Sequence, residues 1–203
     1  MQTDPPDIVP PSSPQPATFP PEAPAPSDTR SSLGDAPASL AAPPRRPTAA
    51  FMFSHPVHIL SMGFGSGLSP IMPGTVGTLF GWLLFVVLDP YLTTSAWIAL
   101  IVAGFFGGVW ATGFTARRMG VADPGSAVWD EVVAIWLVLL LVMPTGFTGQ
   151  LWAFLVFRFF DMVKPPPIGY FDRRLKGGFG IMFDDIVAAV FTLLVIAIWR
   201  AFL

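Results

Sequence analysis

The chain of 203 residues is 53% hydrophobic and only 12% charged, about half the charged fraction of an ordinary soluble domain, as expected of a membrane protein. Its net charge of −2 offers no handle for nucleic acid, and the absence of cysteine excludes disulfides, thiolate catalysis and zinc–sulfur sites. With only two histidines, His55 and His58, any metal site must be built mostly from carboxylates, whose oxygens suit hard ions such as magnesium, manganese or calcium.

Residues 1–50 hold fourteen of the twenty-three prolines, with Ala and Ser between them and no apolar periodicity. Such a segment cannot bury enough surface to offset its ordering entropy, which predicts a disordered tail in loose polyproline conformations. It lacks the apolar core of a secretion signal. Residues 51–203 are expected to form one membrane-embedded domain.

A spanning helix needs about 20 apolar residues. Candidate spans run over 76–88 (reaching Leu92 across Asp89-Pro90), 95–114, 128–143, 151–163 and 186–203. The third carries Asp130 and Glu131 in its first turn. The fourth is short and holds Arg158 and Asp161, so it reads either as a span or as a segment packed inside the bundle. No run alternates with period 2, which excludes a lipid-facing barrel. The predicted fold is therefore an all-α, multi-pass bundle of about four to five spans.

Basic residues set the orientation. Arg45 and Arg46 precede the first span, Arg117 and Arg118 follow the second, and Lys164, Arg173, Arg174 and Lys176 lie between the fourth and fifth. Connections 89–94 and 144–150 have no Lys or Arg. The basic loops thus fall on one side, predicted to be cytoplasmic.

The acids share that side. Asp123, Asp130 and Glu131 lie at the start of the third span, Asp161 at the end of the fourth, Asp172 in the loop, and Asp184 and Asp185 at the start of the fifth. A carboxylate at hydrocarbon depth costs about 2.5–3.5 kcal/mol, so these residues need partners or a role. Arg158, Asp161 and Lys164 recur every three residues on one helical face, as either a phosphate-and-metal site or a structural ladder of ion pairs. Adjacent Asp130 and Glu131 point about 100° apart on a helix, so one is expected to face the site directly. For one of Asp184 and Asp185, helix capping is the alternative role.

Glycines punctuate two further segments. The run Gly63-Phe64-Gly65-Ser66-Gly67-Leu68-Ser69-Pro70 precedes Pro73-Gly74-Thr75 and the first span, so it reads as either a turn or a cradle of backbone amides for phosphate. It is neither a Walker motif nor a dinucleotide fingerprint. The run Gly177-Gly178-Phe179-Gly180 reads as a flexible approach to Asp184. His58 is either a proton donor or, more simply, a packing residue. Among phosphatase signatures, Cys-x5-Arg, Asp-x-Asp-x-Thr and the two-histidine lipid type with Ser-Gly-His are all missing.

The segments that remain resemble the phosphatidylglycerophosphatase A family, over about residues 54–203. The resemblance rests on four blocks in order. The first is Gly63-x-Gly65-Ser66-Gly67-Leu68-Ser69-Pro70-x-x-Pro73-Gly74-Thr75, and the second is Asp123-x-Gly125-Ser126-x-x-Trp129-Asp130-Glu131. The third is Phe157-Arg158-x-x-Asp161-x-x-Lys164-Pro165-x-Pro167-Ile168, continuing through Phe171-Asp172-Arg173. The fourth is Gly177-Gly178-x-Gly180-Ile181-Met182-x-Asp184-Asp185-Ile186-Val187-Ala188. Where the family has Asp-His-Gly, this chain has Asp123-Pro124-Gly125, so a histidine there cannot be essential to it.

The resemblance implies magnesium-dependent hydrolysis of phosphatidylglycerophosphate to phosphatidylglycerol and phosphate, at the cytoplasmic face of a bacterial inner membrane. Asp130, Glu131, Asp161, Asp184 and Asp185 would ligate one or two magnesium ions. Arg158 and Lys164 would stabilise phosphoryl charge. Gly65, Ser66, Gly67, Thr75 and Arg173 would contact the phosphate. The implied partner is a membrane phospholipid, with no nucleic acid, and the sequence leaves protein partners open. The rival readings are a small cation transporter or channel, a phosphatase of another lipid phosphate, and a scaffold with ion-paired helix ends.

Overall fold

The computed structural model describes residues 47–166, 175 and 177–202. Nearly all of the expected tail lies outside these residues, as do Arg45, Arg46, Asp172, Arg173, Arg174 and Lys176. Among the described residues the secondary structure is helical, without strands.

Two short helices, α1 (Ala49–Phe53) and α2 (Pro56–Ser61), lead through a 3-10 segment, Gly63–Leu68, into α3 (Pro73–Leu88). Then follow α4 (Thr94–Met119), α5 (Trp129–Val142), α6 (Phe147–Val163) and α7 (Gly177–Phe202). Local chemistry sets the boundaries. Pro73 opens α3, where its missing N–H costs nothing. The Thr93 hydroxyl accepts from the Ala96 amide to start α4, and Gly120 at φ 66° ends it. Arg117 and Arg118 complement the dipole in its last turn.

Among the described residues, three helical stretches are long and apolar enough to cross a membrane: Pro73–Tyr91, Thr94–Met119 and Gly177–Phe202. The third predicted span, α5, has another status. Its 14 residues pack against α3, α4, α6 and α7, and Val132, Val133, Ala134, Ile135, Val138 and Leu139 are wholly buried. It is a central strut wrapped by protein. Its length need not match the bilayer, because its neighbours cover it.

Lipid tails are as apolar as leucine, so close contact rather than hydrophobic exclusion must hold such helices together. Small residues supply that contact. A Cβ at Gly77 or Gly81 of α3 would run into Val128, Val132 or Ile135 of the α5 segment. On α4, Gly104 and Gly108 stand in the same relation to Val133 and Trp129. Indole N–H groups add tethers across the helices, Trp129 to the Gly104 carbonyl (3.0 Å) and Trp136 to the Gly81 carbonyl (2.9 Å).

Cross-contacts fix the alternation of directions. At one end, Gly74 of α3 meets Glu131 of α5, Gly113 of α4 meets Gly178 of α7, and Lys164 after α6 pairs with Asp184 of α7. At the other end, Trp82 donates to Gln150 (2.8 Å) and Arg200 donates to the Val142 carbonyl (2.8 Å). The acids therefore share one end of the bundle.

Candidate functional site

The site is built on the start of α5. Asp130 and Glu131 occupy its first turn, where the positive end of the helix dipole favours anions. Asp185 reaches them from α7. Each of these three residues offers an oxygen within 4.8 Å of the others, and all three are buried. Among the described residues, Asp130 Oδ1, Glu131 Oε2 and Asp185 Oδ2 find no hydrogen-bond partner. Both neighbours on α5 thus reach the site, where their angular separation predicted one. The extra methylene of glutamate spans the difference.

Converging buried carboxylates repel one another and each forgoes hydration, an arrangement costly without a compensating cation. The donor set is all oxygen, as hard divalent ions require. Unpartnered oxygens, their spacing and their chemistry all fit a metal ion.

Asp161 and Asp184 flank this triad. Asp161 Oδ2 accepts from Arg158 Nη1 at 2.5 Å, one turn away on α6. Asp184 pairs with Lys164, which ends α6 at φ 42°. All five predicted acids thus gather in one region, three as a metal-competent triad and two paired with cations.

Asp184 and Asp185 do not cap a helix. α7 begins at Gly177, so the pair lies in its third turn. The glycine run expected as a flexible approach is instead the helix's first turn. The reason is packing: a Cβ at Gly178 would strike the Val109 carbonyl and the Gly113 backbone, so only glycine lets α7 approach α4 there.

Arg158 is held on three sides. Its Nη1 donates to Thr78 Oγ1 at 3.2 Å and to Asp161, and lies 3.9 Å from Glu131 Oε1. Thr78 in turn donates to the Gly74 carbonyl at 2.9 Å. Gly74 and Thr78 belong to the site, although the sequence reading assigned neither a role. The signal lay in their spacing, one helical turn apart at the start of α3. Thr75, between them, has its hydroxyl buried and without a partner among the described residues. Among the described residues no side chain caps α3, which leaves its first-turn amides for another acceptor.

The glycine-rich run stands differently. The amides of Gly65 and Gly67 both donate to the Met62 carbonyl, and the Ser66 hydroxyl donates to the Gly63 carbonyl. These donors close the turn. Arg173 lies outside the described residues. His58 is buried, with Nδ1 2.9 Å from Thr115 Oγ1 and its ring stacked 4.4 Å from Phe51, as a packing residue would be.

Comparison with known proteins gives a consistent set of relatives. The phosphatidylglycerophosphatase A family profile matches residues 59–200. A phosphatidylglycerophosphatase A of Haemophilus influenzae is 43% identical over 142 residues, 70% of this chain and 87% of its own. That of Escherichia coli is 44% identical over 137 residues, 68% of this chain and 79% of its own. A Bacteroides thetaiotaomicron protein with the provisional name phosphatidylinositol-3-phosphatase is 38% identical, covering 70% of this chain and 92% of its own. No solved structure matches significantly.

Proposed function

The chain belongs to the phosphatidylglycerophosphatase A family, and from that premise we propose that it hydrolyses the phosphomonoester of phosphatidylglycerophosphate to phosphatidylglycerol and phosphate, with magnesium as cofactor. The observation that carries this reading is the triad of buried, unpartnered oxygens on Asp130, Glu131 and Asp185. A divalent ion bound there supplies charge neutralisation for the phosphomonoester and a lowered pKa for water.

The remaining roles fall to the chain itself. The Arg158 guanidinium, fixed by Thr78 and Asp161, presents its charge beside the triad, where phosphoryl charge develops. Lys164 supplies a second cation at the Asp184 side. The Thr75 hydroxyl and the uncapped start of α3 offer donors for a phosphate oxygen. Asp161 and Asp184 hold the cations in place. Gly65, Ser66 and Gly67 shape the approach, and Arg173, outside the described residues, would add charge.

The reaction belongs to phospholipid biosynthesis, at the cytoplasmic face of the inner membrane. The described basic residues at the acid end of the bundle, Arg117, Arg118 and Lys164, support that orientation. Residues 51–203 would constitute the catalytic domain and residues 1–50 an appendage. A site at one end of the bundle suits a substrate whose tails stay in the bilayer while its head reaches water. The relatives' names share one further chemistry. Each denotes a lipid with a phosphomonoester on a polyol that is itself joined to the lipid by a phosphodiester.

Phosphate release from vesicles containing phosphatidylglycerophosphate tests the proposal. Purified protein should release phosphate, lose that activity with chelator and regain it with magnesium. Undiminished release in chelator would refute the metal-dependent reading.

A further inference from the structure

Beside the triad lies a second feature that the proposed reaction leaves unused. Turn 69–73 and loop 123–126 enclose a half-open cleft of about 330 Å³, within the range of small-molecule pockets. Ser69, Pro70, Pro73, Asp123, Gly125 and Ser126 line it. The cleft and the site share the start of α3: Pro73 lines the cleft, and the next residue, Gly74, lies against Glu131 and Arg158.

We propose that this cleft is the subsite for the polyol of the phospholipid head, the alcohol left behind when phosphate departs; the assignment rests on the phosphatase reading above. The chemistry divides the substrate between two neighbouring environments. Arg158 and Lys164 serve the anionic phosphate. The cleft is lined instead by Asp123, Ser126 and Ser69, the last with its hydroxyl donating to the Ile71 carbonyl at 2.8 Å. Carboxylate and hydroxyl oxygens accept hydrogen bonds from the hydroxyls of a neutral polyol. Ser126 is 7% exposed, and its hydroxyl finds no partner among the described residues. Pro70 and Pro73 stiffen one wall, so less freedom is lost when a ligand binds.

Gly125 provides the test. Gly125 lines the cleft, and a Cβ there meets nothing within 4 Å, so the position accepts a side chain without a clash at Cβ. A graded series, Gly125→Ala, Gly125→Val and Gly125→Phe, would be assayed in the full chain on phosphatidylglycerophosphate. Phosphatidic acid, which carries phosphate without the polyol, would be measured through its inhibition constant. Gly107→Phe, on α4 and equally open, controls for added bulk. KM for phosphatidylglycerophosphate should climb with side-chain volume, by about tenfold for Phe, while the phosphatidic acid constant moves by less than about twofold.

Ser126→Ala should raise the same KM with unchanged thermal stability. An unchanged KM across the series, or equal losses for both lipids, would overturn the subsite. A wild type inert towards phosphatidylglycerophosphate would instead overturn the activity, and the subsite with it.

Discussion

Glu131 and Gly74 stand so close that no side chain fits between them. A Cβ on Gly74 would overlap Glu131 Oε1 and lie 3.2 Å from Arg158 Nη2. Helix α3 therefore meets the site through bare backbone. Gly74→Ala makes the first prediction. Alanine favours a helix by about 0.5–1 kcal/mol over glycine, so the fold should persist. The displaced carboxylate should cost about a hundredfold in phosphate release, the scale of a 1 Å misplacement. Unimpaired turnover with the fold intact would show that Glu131 needs no fixed position.

Thr78 is a positioning residue, acting through Arg158. Thr78→Val keeps the shape but removes the hydroxyl that receives Arg158 Nη1 and donates to the Gly74 carbonyl. A buried group that loses its partner costs about 1–3 kcal/mol, so kcat should fall by about tenfold or more. Thr78→Ser should restore it. A purely structural role would instead lower Tm equally in both variants and leave kcat alone.

His58 lies outside the membrane-spanning helices and contributes a pH dependence. Burial, then the neighbouring charges of His55 and Arg118, hold its pKa below the ordinary value. The native ring stays neutral, while the unfolded chain takes up a proton near about pH 6.5. The stability it contributes is present above that pH and is lost as pH falls towards the lowered native value. His58→Phe keeps the stacking on Phe51 and Phe114 but cannot titrate. The Tm difference between wild type and this variant should narrow on acidification from about pH 7.5 to about pH 5.5. A constant or widening difference would contradict the assignment.

Much of this organisation was legible in composition and spacing. Hydropathy located α3, α4 and α7, because 20-residue apolar runs leave few alternatives. The gathering of Asp130, Glu131, Asp161, Asp184 and Asp185 at one end followed from alternating helix direction and the basic loops. Other features depend on contacts between distant segments. Hydropathy cannot distinguish a helix facing lipid from one wrapped in protein, so α5 looked like an ordinary span. The glycines of 177–180 looked like a loop because glycine disfavours helices in isolation. Their fit against Val109 and Gly113 decides otherwise. Thr78 looked like an ordinary span residue until Arg158, 80 positions away, was seen to rest on it.

The central claim is that carboxylates from α5 and α7 jointly grip one divalent ion. A manganese titration followed by electron paramagnetic resonance tests it most directly, since binding is read independently of turnover. Wild type should quench the free-ion signal saturably, in competition with magnesium. Asp130→Asn and Asp185→Asn should each weaken that binding by about ten- to a hundredfold or more, and Asp130→Asn should abolish phosphate release. Wild-type affinity in both variants, with their thermal stability unchanged, would contradict the account.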